Sequence, residues 1–274
     1  MAVRKTEPVR GVLEVGGQKS ARIHHERFFP SADLAPFVEH LWTVRWDLTG
    51  GPPQLVSTLP HPVVHFVVDS EREAYIAGPA RARFQRELRD VGSVFAVKFR
   101  PGGFRPFLGG PVSRLADAVL PAHDVFGPEV SVLEAAVRVA ATVEERIERT
   151  ESFLRKRVAP PDPMMELVSR LVDEIAGEPA ITKVQDVVSR AGVSTRSLQR
   201  LFAEHVGVSP KWVLQRYRLH EAADRLAKEG TDLATLALDL GYSDQAHFVR
   251  DFKLVVGETP GAYARKAKAT PRAE

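Results

Sequence analysis

From about Ile23 to Phe107 the apolar residues come in short alternating runs broken by Gly and Pro: "LWTVRW", "HPVVHFVV", "AYIAGP" and "VFAVKFRPGG". A period of two puts every second side chain on one face, so the pattern predicts β-strands joined by turns. Val64, Phe66 and Val68 then share one face of a strand, and Phe95, Val97 and Phe99 share one face of another. Either a barrel or a sandwich buries both faces. Between Val130 and Arg157 the period changes, and Val132, Ala136, Val139, Val143, Ile147 and Leu154 recur at the spacing of one helix side. That seam fits either the chain's own barrel or a second subunit. "APPDP", from Ala159 to Pro163, ends the helix and marks a linker.

Everything after the linker carries a helical period. Leu167, Val168, Leu171, Val172 and Ile175 form a first stripe, ended by Gly177 and Pro179. Thr182 followed by Gln185 predicts a capping box for a helix running to Ala191. Ser209-Pro210 and Thr259-Pro260 each join an N-cap oxygen to proline at the first helical position. At least six short helices are expected. The predicted class is α+β. Residues 1–125 are read as a β-rich domain, 126–160 as an amphipathic helix and Pro-rich linker, and 161–274 as an all-α domain.

That last region contains a repeat. Leu198, Arg200, Phe202, Val206, Gly207 and Pro210 recur fifty positions later as Phe248, Arg250, Phe252, Val256, Gly257 and Pro260. Gly192 and Ser194 recur forty-nine later as Gly241 and Ser243, so one extra residue sits in the second turn. Each copy is a short helix, a glycine turn and a helix opening on serine, which is the helix-turn-helix pattern. The copies span about 182–205 and 232–255. The first pairs Val184–Ala191 with Ser194–His205, and the second pairs Leu233–Leu240 with Ser243–Val255. Leu198 and Phe202, like Phe248 and Phe252, face inward, leaving Arg196, Gln199 and Arg200, and then Ala246, His247 and Arg250, on the other side.

These residue types suit base edges. The arginine fork fits guanine O6 and N7, glutamine pairs with adenine, and an alanine methyl rests against thymine. Any single Arg or Gln reads first as part of a solvated helix face, and it is the doubling of the motif that favours base contact; His247 also reads as a packed core residue, and Lys211, Arg216 and Arg218 as phosphate contacts or plain surface charges. A spacer helix from Pro210 to Lys228 spans about 28 Å, near the roughly 34 Å between successive major grooves on one face of DNA.

Composition narrows the chemistry. The chain has 274 residues, 44% apolar and 27% charged, with no cysteine, which excludes disulfides, thiolate zinc sites and cysteine nucleophiles. Net charge is +3, but from Met164 onward 16 Lys and Arg face 15 Asp and Glu, so placement rather than bulk charge must make any nucleic-acid surface. No membrane-length apolar run or signal-peptide stretch is present, and a cytoplasmic location is expected. A Gly-x-Ser-x-Gly elbow, a His-Glu-x-x-His pair and a dinucleotide fingerprint are all missing.

"GYSDQAHFVRDFK" followed by "GETPGAYAR" resembles the signature of the AraC/XylS family of bacterial transcription regulators over about Ile181 to Arg265. The resemblance implies two helix-turn-helix units on a long helix, promoter DNA as partner, contact with RNA polymerase, and no enzymatic activity or cofactor. It assigns base contact to Arg196, Gln199 and Arg200, and to Gln245, Ala246, His247 and Arg250. Many members carry a small polar residue where this chain has Ala246, which implies reduced hydrogen bonding there. The β-rich region looks like a cupin-type sensor, implying a small-molecule effector or a homodimer contact. Trp42, Trp46, His65, Lys98 and Arg100 are the pocket candidates, though any one of them taken alone reads first as a core aromatic or a surface charge. His61 and His65 share a strand face without a third metal ligand. Two alternatives stand beside the regulator: a β-barrel enzyme or sugar-binding protein with a DNA-binding appendage, and a weakly specific architectural protein.

Overall fold

The structure, a computed structural model, describes residues 12–13, 22–160, 162–227 and 232–269. Its strands are β1 (Val12–Leu13), β2 (Ile23–Phe28), β3 (Val38–Asp47), β4 (Gln54–Thr58), β5 (His65–Asp69), β6 (Tyr75–Ala77), β7 (Phe84–Leu88), β8 (Val91–Phe99) and β9 (Val119–Pro121). They form two antiparallel sheets, one of six strands in the order β2-β3-β8-β5-β6-β9 and one of three in the order β1-β4-β7. The alternation read from the sequence becomes rows across the large sheet. Phe28, Leu41, Val97, Phe66 and Ile76 stand in register from strand to strand and are all buried. Helices cover that face: α1 (Arg105–Leu108), α2 (His123–Phe126), α3 (Glu129–Val139) and α4 (Val143–Arg155). Phe126 meets Phe66 and Phe153 edge-on, each at 5.4 Å between ring centroids, joining sheet and helices in one core. The opposite face packs Trp46, Val67, Val94 and Ala96 against Val56 of β4 and Leu88 of β7. The N-terminal region is therefore a two-sheet sandwich with one outer face roofed by helices.

The long seam expected between Val130 and Arg157 is two helices, α3 and α4. Thr142 ends the run by capping α4: its side chain accepts the Glu145 N–H at 3.2 Å, and the Glu145 carboxylate accepts the Ala141 N–H at 3.1 Å. The break rotates the phase. Val132 and Val139 are 73% and 79% exposed, while Val130, Leu133 and Val137 face the core.

The C-terminal region comprises α5 (Pro163–Gly177), α6 (Val184–Ala191), α7 (Thr195–His205), α8 (Pro210–Leu226), α9 (Leu233–Asp239), α10 (Gln245–Val256) and α11 (Pro260–Ala269). One core joins α5, α6, α7 and the start of α8, and a second joins the rest of α8 to α9, α10 and α11. Both predicted Ser/Thr-Pro starts form, with Ser209 accepting from Trp212 N–H and Thr259 from Ala262 N–H. The Thr182 capping box does not. Asp186 makes the turn instead, accepting from the N–H groups of Thr182 and Lys183, because a carboxylate at the third helical position reaches back to both. The long helix ends its regular part at Leu226, and Lys228 lies outside the described residues.

The sandwich docks on both units of the C-terminal region, and at repeat-equivalent places. Gly207 follows α7 and Gly257 follows α10; both have positive φ, 87° and 88°. A Cβ on Gly207 would lie 2.9 Å from the Val112 carbonyl oxygen, and one on Gly257 would collide with the Arg83 guanidinium. Arg83 donates to the carbonyl of Val256 at 2.8 Å, the last residue of α10. Arg105 pairs with Glu204 of α7 at 2.6 Å. Leu59 completes the second helical core.

Candidate nucleic-acid interface

Each helix-turn-helix unit is built by a glycine that stops one helix and an oxygen that starts the next. In the first, Gly192 adopts φ 64° after α6, and Ser194 accepts the Ser197 N–H at 3.1 Å to open α7. In the second, Gly241 has φ 74°, and the cap of α10 is Asp244, accepting from His247 N–H at 2.7 Å. The sequence pointed to Ser243. The carboxylate one residue later takes the role, which places the extra residue between Gly241 and Asp244 and restores the fifty-residue offset for everything that follows.

Burial fixes the outward faces. Leu198 and Phe202 of α7, and Phe248 and Phe252 of α10, are completely buried. Arg196, Gln199 and Arg200 stand exposed on the other side of α7, and Gln245, Ala246, His247 and Arg250 stand exposed on α10. Among the described residues Arg196 and Arg200 form no ion pair, and Arg250 feels the Asp244 carboxylate without a direct ion pair to it. By contrast Arg190 of α6 is committed to Glu178 at 2.6 Å. Exposed guanidinium groups with free forks are what bidentate contacts to a base edge or a phosphate require.

His247 is held from behind. Its Nε2 lies 3.5 Å from the Asp251 carboxylate and its ring meets Tyr242 edge-on at 5.2 Å, yet 47% of the side chain remains exposed. Asp251 also accepts from Gln215 of α8 at 2.5 Å, tying the second reading helix to the connecting one. Burial raises the Tyr242 phenol well above its usual range, with the Asp251 carboxylate acting in the same direction. The connecting helix α8 has 17 residues, hence a length of about 25 Å at 1.5 Å per residue.

Of the basic residues on α8, Lys211 is exposed and Arg218 is half-buried. Arg216 is not a surface residue. It is 3% exposed, lies over Trp212 and donates to the Arg81 carbonyl at 2.7 Å, so it serves the docking of the sandwich. The sequence missed this because a charged residue on a long helix reads as solvated unless its partner, far away in the chain, is known.

The five N-terminal candidates separate. Trp46 is a core residue rather than a pocket wall: it is 2% exposed and its indole N–H donates to the Arg89 carbonyl at 2.9 Å. Trp42, His65 and Lys98 come together on the inner face of the large sheet. The Trp42 indole donates to His65 Nδ1 at 3.4 Å, and Lys98 pairs with Glu39 at 2.8 Å. Arg100 lies apart, donating to the Ala35 carbonyl and lining an open groove of about 670 Å³ against Met165 and Asp173 of α5. His61 sits before β5 and packs on His220 of α8 at 4.6 Å instead of sharing a strand with His65. Among the described residues no group of three metal-binding side chains forms, and no helix is long and apolar enough to cross a membrane.

Two helix-turn-helix units on one connecting helix define a DNA-binding domain. Residues 187–266 match the family described as "Helix-turn-helix domain", and residues 26–121 match a "Domain of unknown function (DUF6597)". The chain is 29% identical over 213 residues to the transcriptional activator NphR of a Rhodococcus species, an alignment covering 76% of this chain and 58% of that one. It is 36% identical over 77 residues to the transcriptional regulator GlxA of Rhizobium meliloti, covering 28% and 24%. It is 30% identical over 82 residues to an uncharacterized helix-turn-helix-type regulator of Haemophilus influenzae, covering 30% and 28%. In each case the chain spans less than two thirds of the relative's own length. The C-terminal region thus carries a helix-turn-helix domain of the kind found in regulators of the AraC/XylS family.

Proposed function

We propose that this chain is a sequence-specific DNA-binding transcription regulator. α7 reads one stretch of major groove through Arg196, Gln199 and Arg200, and α10 reads the next through Gln245, Ala246, His247 and Arg250. The observation that carries this reading is the pair of exposed arginines, Arg200 and Arg250, at equivalent positions of two repeats whose inward partners are wholly buried. Residues 161–274 are the DNA-binding part. The sandwich up to about residue 125 is a small-molecule sensor, and a ligand acts by binding one arrangement of sandwich and helices better than another. Its contacts after both reading helices give such a preference a route to the DNA. RNA polymerase and a second copy of the chain are the further partners of this reading.

The test is binding of full-length protein to the DNA upstream of its own coding region, against scrambled competitor, over a salt series. Nonspecific contacts weaken with salt on every sequence, so the ratio of the two affinities is the quantity that decides. A ratio of about a thousand or more supports the proposal. A ratio near one, on this DNA and on any sequence enriched from a random pool, contradicts it.

A further inference from the structure

The helical roof of the large sheet leaves a concavity where α3 and α4 pass over the strand ends. It has a volume of about 140 Å³, is half open to solvent, and lies between Phe95, Val137, Arg138, Arg146, Ser70 and Ser93. Alternation decides which strand residues reach it. Ser93 follows the parity of Phe95 and Val97, and Ser70 that of Phe66 and Val68, so both hydroxyls stand on the roofed face. Asp69, between Val68 and Ser70, turns to the other face, where both arms of Arg86 hold it at 2.6 and 3.2 Å. At the end of this ladder the Ser70 N–H donates to the Ser93 carbonyl at 3.0 Å, but the Ser93 N–H donates to Ser70 Oγ at 2.9 Å. That oxygen is used as an acceptor, and its own O–H is left to donate. These strand ends lie far from the helical domain: His61, before β5, and Arg100, after β8, are the residues that border α8 and α5. The concavity is therefore separate from the junction between the two regions.

Two arginines line the concavity and a third stands beside it. Arg138 pairs with Glu134 at 2.7 Å and donates to the Arg72 carbonyl at 2.6 Å. Arg45, opposite Ser93 in the register of β3 and β8, pairs with Glu26 at 3.6 Å. Arg146 is different: among the described residues its guanidinium forms no hydrogen bond or ion pair. It is half-buried, and burial first and the like charge of Arg45 second pull its pKa below the ordinary arginine value. No carboxylate of the described residues offsets either effect. A half-buried cation beside a second cation, over an aromatic ring and a valine, is disfavoured until an anion joins it.

We propose that this concavity binds a phosphoryl group, as inorganic phosphate or as the end of a small phosphomonoester, with Arg146 as its principal partner. Size sets one limit. The volume is well below the roughly 300–1,000 Å³ of a site that encloses a whole metabolite, so it takes a group of few heavy atoms and leaves any remainder at the open side. Direction sets another. Donors converge from the end of β5, from β8, from α3 and from α4. The two oxygens of a carboxylate lie in one plane, whereas a phosphoryl group offers three or more oxygens pointing apart. Charge agrees: Arg146 supplies one full positive charge, and Arg138 and Arg45, each shared with a single carboxylate, add to a field that suits a group of about −1.5 to −2 at neutral pH. Occupied, the site ties α4 to the ends of β5 and β8. It stands whether or not the chain reads DNA.

The test titrates full-length protein with inorganic phosphate and with glycerol 3-phosphate at constant ionic strength, followed by calorimetry and by melting temperature, with acetate and glycerol as controls. Saturable millimolar or tighter binding of at least one phosphate is expected, with a melting temperature that rises with occupancy. Acetate and glycerol give neither. Arg146→Met weakens binding at least about tenfold, and Arg146→Lys, which keeps the charge and loses the fork, weakens it less. Ser93→Ala weakens it about threefold. Without phosphate the Arg146→Met protein melts within about 2 °C of the unsubstituted one, because the guanidinium holds nothing else in place. Arg200→Ala leaves phosphate binding unchanged, which separates this site from the exposed arginines of the reading helices. Tighter binding of phosphate than of the ester identifies the free ion as the ligand, and the reverse identifies an organic phosphate; either result supports the site. Saturable binding of neither, acetate binding as tight as phosphate, affinity unchanged in Arg146→Met, or binding abolished by Arg200→Ala overturns it.

Discussion

The two helix-turn-helix units share a plan and differ in how freely they present it. The first offers two exposed arginines and a glutamine from a helix capped by a serine. The second offers one arginine, a glutamine, an alanine and a histidine that is tethered to Asp251 and Tyr242. The second also has its own ties to the rest of the molecule. Asp251 holds it to α8 through Gln215, Leu59 of the sandwich enters its core, and Arg83 takes the carbonyl at its end. The two copies thus keep one scaffold and both touch the N-terminal region, the first through Arg105 and Glu204 and the second through Arg83 and the Val256 carbonyl.

The largest expected effects come from breaking each scaffold in turn. Phe202→Ala and Phe252→Ala empty equivalent, completely buried places, and each should lower unfolding free energy by about 3 to 5 kcal/mol in urea titrations. The Phe252 variant should also loosen the sandwich, seen as faster amide exchange near Leu59, while the Phe202 variant should not.

On DNA, Arg200→Ala should lower affinity for the preferred site by about 10- to 100-fold, and Arg250→Ala by less, in anisotropy titrations at fixed salt. Equal losses on every sequence would make both residues phosphate contacts.

Acid separates the junction from the second unit. His61 and His65 have pKa values pushed below the free histidine value, His65 to about 3, so the unfolded chain takes up protons first as pH falls. Stability present above about pH 6.5 is therefore lost progressively down to about pH 3. The melting temperature should drop by roughly 5 °C between pH 7 and pH 5, and His65→Gln should flatten that slope. The smallest effect belongs to Arg83→Ala, which should raise amide exchange in the last turn of α10 about tenfold and leave α7 unchanged.

Much of the C-terminal architecture was legible because its signals are local. Glycine turns, Ser-Pro starts and inward pairs four residues apart are written within a few positions of where they act, as at Gly192, Ser209 and Leu198. The strand faces were legible for the same reason, since Val97 and Phe66 follow strict alternation. What escaped depends on distant partners or on a competing cap. Thr142 split the helix seam, Asp244 displaced Ser243, and Arg216 turned inward because Arg81 waits there with a carbonyl. Arg27 escaped entirely: a charged residue on an alternating strand reads as solvent-facing, yet it is only 9% exposed.

The account rests on two units that read DNA separately. The direct measurement is selection from a random double-stranded pool by the unsubstituted protein, Arg200→Ala and Arg250→Ala, at one salt concentration. The account predicts a bipartite preferred sequence with halves about 10 base pairs apart, in which each variant erases preference in a different half. Selection of no preferred sequence, or the loss of preference across both halves by either variant alone, would contradict it.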